Sequence, residues 1–196
     1  MIMIDKKDIT GIILAGGKSS RMGTDKGFLK LNRKSFVEYS IEAMKPLVSQ
    51  MMIVSNNADY DAFKLKRVED VIKNSGPLAG IYSGLSHSKT DYNLVLSCDI
   101  PFIKTSILEM LINAQDGDAD IVQILSDGKP MPLIALYKKR CETIFYNLLQ
   151  NDERCLHVAL NQCTVKNIEL NPECDVFTTN INTPEELKEI EHVDKN

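Results

Sequence analysis

Ile9-Thr10-Gly11-Ile12-Ile13-Leu14-Ala15-Gly16-Gly17-Lys18-Ser19-Ser20-Arg21-Met22-Gly23-Thr24-Asp25-Lys26 runs from an apolar segment into glycines, hydroxyls and cations. Ile9–Ala15 reads as a buried strand. Gly16, Gly17 and Gly23 lack Cβ, so the backbone after it turns sharply and approaches a ligand closely. Successive N–H groups in such a turn form an anion-binding concavity. Ser19 and Ser20 add hydroxyls, Arg21 a planar fork and Lys26 a point charge. The set suits a triphosphate, and it sits beyond the carboxyl end of a strand, where open α/β sheets bind ligands. Two look-alikes fail. A P-loop reading of Gly17-Lys18-Ser19 needs a glycine where Ile12 stands, and G-x-G-x-x-G is broken because Gly16 and Gly17 are adjacent. A plain strand-to-helix turn with solvated cations leaves the coincidence of these groups unexplained.

Beyond this stretch, β-branched runs alternate with amphipathic ones. The pattern predicts strands at Met51–Ser55, Lys66–Val68, Leu94–Ser97, Asp120–Leu125 and Leu133–Tyr137, the last two joined by the turn Ser126-Asp127-Gly128-Lys129-Pro130. It predicts helices at Ser35–Lys45, Ala79–His87, Lys138–Leu149 and Arg154–Leu160. Ser35-x-x-Glu38 and Ser106-x-x-Glu109 read as capping boxes, and Thr183-Pro184-Glu185-Glu186 as a helix start. This order implies an α/β fold with a mostly parallel sheet.

The length of 196 residues fits a single domain, 1–196. A net charge of −4 and pI of about 5.4 argue against nucleic acid or anionic membrane as partner. The average conceals a local +5 over Gly16–Lys34, where Lys18, Arg21, Lys26, Lys30, Arg33 and Lys34 face only Asp25. Such a concentrated patch suits one small polyphosphate rather than a long polyanion. No apolar run approaches a membrane span, and the first residues lack the order of a signal peptide. The five cysteines are odd in number and contain no C-x-x-C, against a disulfide framework or zinc site. A cytoplasmic, reduced, soluble protein is expected.

Other strand ends carry polar residues with two readings each. Asp99, after the apolar strand Leu94–Ser97, is placed to hold Mg²⁺ or to cap a turn. Asn56, Asn57 and Asp70 suit a base edge or ribose, or ordinary Asx turns. Gly80 and Gly84, four apart, leave a smooth helix face for a flat base, or for close packing on the sheet. Asn180 and Asn182 alternate onto one face of an extended segment, or act as local caps. Cys98 reads as a buried packing group. The three histidines are scattered without ligand spacing.

L-A-G-G-x-S-x-R-M-G-x-D-K at Leu14–Lys26, G-P-L-A-G at Gly76–Gly80, C-D-x-P-F at Cys98–Phe102 and N-x-N-T-P-E-E-L at Asn180–Leu187 together resemble the molybdenum cofactor guanylyltransferases. The first motif is shared in outline by many nucleotidyltransferases. Gly17 and the G-P-L-A-G segment are more specific, since related cytidylyltransferases carry L-A-A-G and lack the second motif. The resemblance spans nearly the whole chain. It departs at Ser55-Asn56-Asn57-Ala58, where the family often has a small residue in place of Asn56 and Arg in place of Ala58.

The resemblance implies a three-layer Rossmann-like sandwich of the nucleotide-diphospho-sugar transferase type. It implies that Leu14, Ala15, Gly16, Gly17, Ser19 and Lys26 bind GTP, with Gly80 beside them, and that Asn57 and Asp70 hold the nucleoside. Asp99 would bind Mg²⁺, and Asn180 and Asn182 would line the acceptor side. Arg154 is a candidate in the weakly matching stretch 138–175. The implied reaction transfers GMP from GTP to the terminal phosphate of molybdopterin, with Arg21, Lys26 and Asp99 as the catalytic set. Cofactor-delivery proteins or molybdoenzymes would be further partners. The rivals are a cytidylyltransferase on the same or another phosphorylated acceptor, a sugar-phosphate nucleotidyltransferase, and an inactive nucleotide-binding subunit.

Overall fold

The structure, a computed structural model, describes residues 3–16, 25–72, 75–182 and 186. Gly17, Ser19, Ser20 and Arg21 lie outside the described residues, as do Thr183, Pro184 and Glu185 of the expected helix start Thr183–Glu186.

The elements in chain order are β1 (Ile9–Leu14), β2 (Lys30–Leu31), β3 (Lys34–Ser35), α1 (Phe36–Met44), β4 (Gln50–Val54), β5 (Lys66–Val68), α2 (Gly76–His87), β6 (Tyr92–Ser97), α3 (Thr105–Asn113), β7 (Ile121–Ser126), β8 (Lys129–Lys138), α4 (Cys141–Gln150), α5 (Leu156–Leu160) and β9 (Val165–Glu169). Seven strands form one sheet in the order β5-β4-β1-β6-β8-β7-β9, and β2 and β3 form a separate ribbon. Strands β5, β4, β1 and β6 are mutually parallel, as are β7 and β9; β8 runs antiparallel between β6 and β7.

Alternation along the central strands builds the layers. Ile9 and Ile13 of β1 and Leu94 and Leu96 of β6 pack with Val37 and Met44 of α1 and Leu108 and Leu111 of α3. On the opposite face, Ile12 and Val95 pack with Leu78, Ile81 and Leu85 of α2 and Phe145 and Leu149 of α4. Strands covered on both faces must be apolar at successive positions, which is why β1 and β6 read as unbroken runs. The result is the expected three-layer α/β sandwich. Among the described residues no helix is long and apolar enough to cross a membrane.

Several expectations need correction. The capping pair of α1 forms, with Glu38 Oε2 accepting from the Ser35 N–H at 2.7 Å and hydroxyl at 2.6 Å. The pair expected at Ser106 and Glu109 does not, because the N-cap of α3 falls two residues earlier, at Lys104. Thr105 Oγ1 instead donates to the Ala43 carbonyl at 3.0 Å, fastening α3 to the end of α1. Helix α2 begins at Gly76 rather than Ala79, with proline in its first turn, where its missing N–H costs nothing. Lys138 belongs to β8, so α4 starts only at Cys141. The expected five-residue turn shrinks to Asp127-Gly128, with φ of 50° and 67°, the positive-φ pair of a tight hairpin. Strands β2, β3 and β9 are too short or too polar to announce themselves by periodicity.

Candidate active site

A cleft of about 730 Å³ opens at the carboxyl ends of β1, β4, β5 and β6. Leu14, Ala15 and Gly16 form its floor; Asn57 and Asp70 line one end and Ser97 and Leu133 the other, with Pro77 and Gly80 of α2 alongside. Gly16 takes φ +99°, and a Cβ there would meet Ser55 Oγ at 3.0 Å. Only glycine adopts this turn without strain. The Cys98 N–H donates to the Leu14 carbonyl at 3.0 Å, so the loops after β1 and β6 leave the sheet side by side.

That adjacency brings Lys26, Asp99 and Asn182 together. Lys26 Nζ donates to Asp99 Oδ2 at 3.2 Å and to Asn182 Oδ1 at 2.5 Å. Asp99 Oδ1 accepts from Ser97 Oγ at 2.6 Å. The Asp99 carbonyl accepts from the Ile181 N–H at 2.9 Å, holding the Asn180–Asn182 segment against the site. Asn182 thus shares the lysine with Asp99. Asn180 Oδ1 is buried with no hydrogen-bond partner among the described residues.

At the other end, Asn56 brackets Asp70. Its Nδ2 donates to Asp70 Oδ2 at 3.2 Å, and its Oδ1 accepts from the Asp70 N–H at 3.1 Å. Asp70 Oδ1 is buried without a partner among the described residues. Burial holds the Asp70 carboxyl above its ordinary pKa, opposed by the Asn56 bond. Asn57 lines the cleft, yet both ends of its amide are engaged: Nδ2 donates to Asp25 Oδ2 at 3.3 Å and Oδ1 accepts from the Asp59 N–H at 3.0 Å. Asn56, where the chain departs from the resembled pattern, thus orients the carboxylate.

The two readings of Gly80 and Gly84 divide between the residues. A Cβ on Gly84 would lie 2.5 Å from Ile12 Cγ2, which is helix-on-sheet packing. A Cβ on Gly80 would stand 3.7 Å from Asp70 Oδ1, facing the cleft. Cys98 is buried, and that burial raises its thiol pKa, with Asp99 and Asp25 adding to the effect; it is no nucleophile. Arg154 is not at the cleft. It donates to the Leu149 carbonyl at 2.9 Å and to Asp152 Oδ1 at 3.0 Å, closing the end of α4.

Sequence reasoning missed Leu133 and Ser97, which line the cleft. Pairing of β8 with β7 jumps from Gln123↔Ala135 to Ile124↔Met131, leaving Pro132–Ile134 as a bulge on that side. Tyr137 OH donates to the Pro132 carbonyl at 2.8 Å and supports the bulge that brings Leu133 to the cleft. The two prolines, Pro130 and Pro132, were the available signal, since proline in a strand marks an irregularity.

Asp99 fits a magnesium ligand. It is a hard oxygen donor at a strand mouth, and its side chain keeps 16% exposure. Among the described residues no group of three or more His, Cys, Asp or Glu could hold a metal unaided. The remaining ligands would come from phosphate and water, the arrangement Mg²⁺ favours.

Comparison with known proteins places the chain among nucleotidyltransferases. A probable molybdenum cofactor guanylyltransferase from Flavobacterium johnsoniae is 36% identical over 182 residues, covering 93% of this chain and 96% of the relative. The crystal structure of molybdopterin-guanine dinucleotide biosynthesis protein A from Archaeoglobus fulgidus superposes with a TM-score of 0.80 at 25% identity, covering 95% of this chain and 98% of that one. A 4-diphosphocytidyl-2C-methyl-D-erythritol synthase from Anaerococcus prevotii superposes with a TM-score of 0.75 at 13% identity, covering 98% and 100%, and shares the fold alone. The sequence profile of the MobA-like NTP transferase domain matches residues 11–163, and the chain belongs to that family of nucleotidyltransferases.

Proposed function

We propose that this nucleotidyltransferase moves GMP from GTP to the terminal phosphate of molybdopterin, releasing pyrophosphate, with Mg²⁺ bound at Asp99. The observation that carries the reading is the convergence of Lys26, Asp99 and Asn182 beside a glycine-floored cleft whose far end holds the unpartnered Asp70 Oδ1.

The polarity of the cleft orders the substrate. A carboxylate only accepts hydrogen bonds. Guanine offers two adjacent donors, its ring N–H and its 2-amino group, whereas cytosine offers only its amino group on that edge. Asp70, steered by Asn56, thus favours guanine at the β4–β5 end. The triphosphate then runs over Gly16 toward Lys26. The acceptor enters from the β6–β8 side, past Leu133 and the Asn180–Asn182 segment.

The acceptor phosphate is already an anion, so no side-chain base is required. What remains is in-line placement and charge neutralisation. Lys26 serves the second need by turning its ammonium from Asp99 to the phosphate oxygens. Arg21 is the further cation of the motif. Asn182 keeps Lys26 oriented during that exchange, and Ser97 keeps Asp99 oriented. Bound Mg²⁺ supplies Lewis-acid neutralisation of the α-phosphate and a template for it.

The test is pyrophosphate release with molybdopterin, Mg²⁺ and each of the four nucleoside triphosphates. Dominant turnover of GTP is expected. A clear CTP preference overturns the guanylyl assignment, and no turnover with any nucleotide overturns the catalytic one.

A further inference from the structure

Asp25 lies beside Lys26 in the motif and lines the cleft, and both of its carboxylate oxygens accept hydrogen bonds from the protein. Oδ1 accepts from Tyr60 OH at 2.5 Å and from the Gly27 N–H at 3.2 Å, and Oδ2 accepts from Asn57 Nδ2 at 3.3 Å. Three donors offset the cost of partly burying this charge. Tyr60 itself is 0% exposed. Its ring packs against Phe28 at 4.5 Å and Phe63 at 6.0 Å between centroids, so the hydroxyl has little freedom. A Cβ on Gly27 would fall 2.1 Å from that hydroxyl, so residue 27 must be glycine for the ring to reach Asp25. Burial raises the phenol pKa, which keeps the group a donor at any working pH.

We infer that Tyr60 is a positioning residue for transfer, acting through Asp25 to fix the backbone from which Lys26 projects. A lysine side chain is flexible, carrying about 2 kcal/mol of rotamer entropy. Here it is held at both ends. Its tip is held by Asp99 and Asn182, and its root lies in the 3-10 turn Lys26–Phe28 that Asp25 caps. When the ammonium turns to a phosphate, the bond to Asp99 is given up. The root clamp is unaffected by that exchange, so it keeps the lysine within reach of the reacting phosphate. The inference rests on Lys26 being the phosphate-facing cation of the proposed reaction.

Tyr60→Phe tests this, because it keeps the packed ring and removes one donor. The first readout uses no nucleotide: the rate of reductive methylation of Lys26 in the full chain, followed by peptide mass spectrometry. A rise of roughly threefold is expected at Lys26, with Lys166 unchanged, as local protection loosens. An unchanged Lys26 rate overturns the clamp. The second readout is guanylyl transfer. Misplacement of a reacting group costs up to ~10²-fold, so kcat should fall about tenfold or more with KM for GTP within about twofold. In the Lys26→Ala background the same substitution should cost less than about twofold, because the residue through which it acts is gone. An equal loss in both backgrounds, or a lower melting temperature with unchanged kcat, would show a purely structural role. Since the methylation arm involves no substrate, failure of the clamp and failure of the guanylyl assignment are read separately.

Discussion

Lys26 Nζ and Asp99 Oδ2 stand 3.2 Å apart although 73 residues separate them in the chain. Each charge satisfies the other beside the cleft, where Asp25 and Ser97, their chain neighbours, line its wall. Both side chains are largely but not fully buried, at 22% and 16% exposure, so the pair can be opened from solvent. In the proposed reaction, a phosphate at Lys26 and a cation at Asp99 would replace one internal ion pair with two intermolecular ones.

Lys26→Ala should lower the rate of guanylyl transfer by ~10²–10³-fold, the usual loss for a preorganised charge-stabilising donor. Single-turnover measurement isolates the chemical step. Turnover near that of the unaltered chain would remove Lys26 from the mechanism.

Asp99→Asn separates metal from nucleotide. The carboxamide is isosteric and still accepts from Ser97 Oγ or Lys26 Nζ, but it is a poor Mg²⁺ ligand. Transfer should be lost across a Mg²⁺ titration. Metal-free GTP binding, followed by calorimetry, should hold or tighten, because one negative charge near the phosphates is gone and Lys26 is released from its ion pair. Weaker metal-free binding would mean that Asp99 acts mainly to place Lys26.

Parts of this site were legible in the sequence because they are local. Gly16 and Asp99 sit just after apolar strands, and Lys26 closes the motif that Gly16 opens, so strand-end logic and the motif found them without knowledge of the sheet order. The Lys26–Asn182 contact spans 156 residues, and no periodicity encodes it. Asn56 and Asn57 are chemically identical neighbours, and only the directions of their amides show which one holds Asp70 and which holds Asp25. The antiparallel insertion of β8 was hidden for the same reason. A strand's direction depends on its partners, although the Asp127-Gly128 turn was visible between its neighbours. The Ser106-x-x-Glu109 pattern matched a cap by spacing, but Thr105 found a better partner in the Ala43 carbonyl, a tertiary contact.

Gly80→Ala and Gly84→Ala should have opposite signatures. At Gly84 the new methyl would lie 2.5 Å from Ile12 Cγ2 in the core, and overpacking of that kind costs about 1–3 kcal/mol. At Gly80 the nearest atoms are Leu14 Cδ2 at 3.4 Å and Asp70 Oδ1 at 3.7 Å, ordinary contact distances. Alanine is also the better helix former by up to about 1 kcal/mol. Gly80→Ala should therefore hold or raise the melting temperature while raising KM for GTP. A stable Gly84→Ala variant, or unaltered nucleotide affinity in Gly80→Ala, would reverse the division of roles.

Asp70→Asn should trade function for stability. The Asn56 bond survives on a carboxamide oxygen, whereas the unpartnered charge at Oδ1 does not. Burial raises the folded-state pKa of Asp70, so its ionised form is a liability to the fold. The sign follows from linkage: that liability is absent below the unfolded carboxylate pKa of about 3.9 and complete above the raised folded value. The variant should therefore equal the unaltered protein in stability at the acid end and exceed it at neutral pH. The gain should be about 1 kcal/mol, typical of relieving a site kept for function. Denaturant melts at a series of pH values measure this gap. In the same variant, GTP should lose affinity more than CTP, because the acceptor facing guanine's paired donors now carries a donor of its own. A stability gap that shrinks as pH rises, or unchanged discrimination between GTP and CTP, would show that Asp70 neither bears the buried charge nor reads the base.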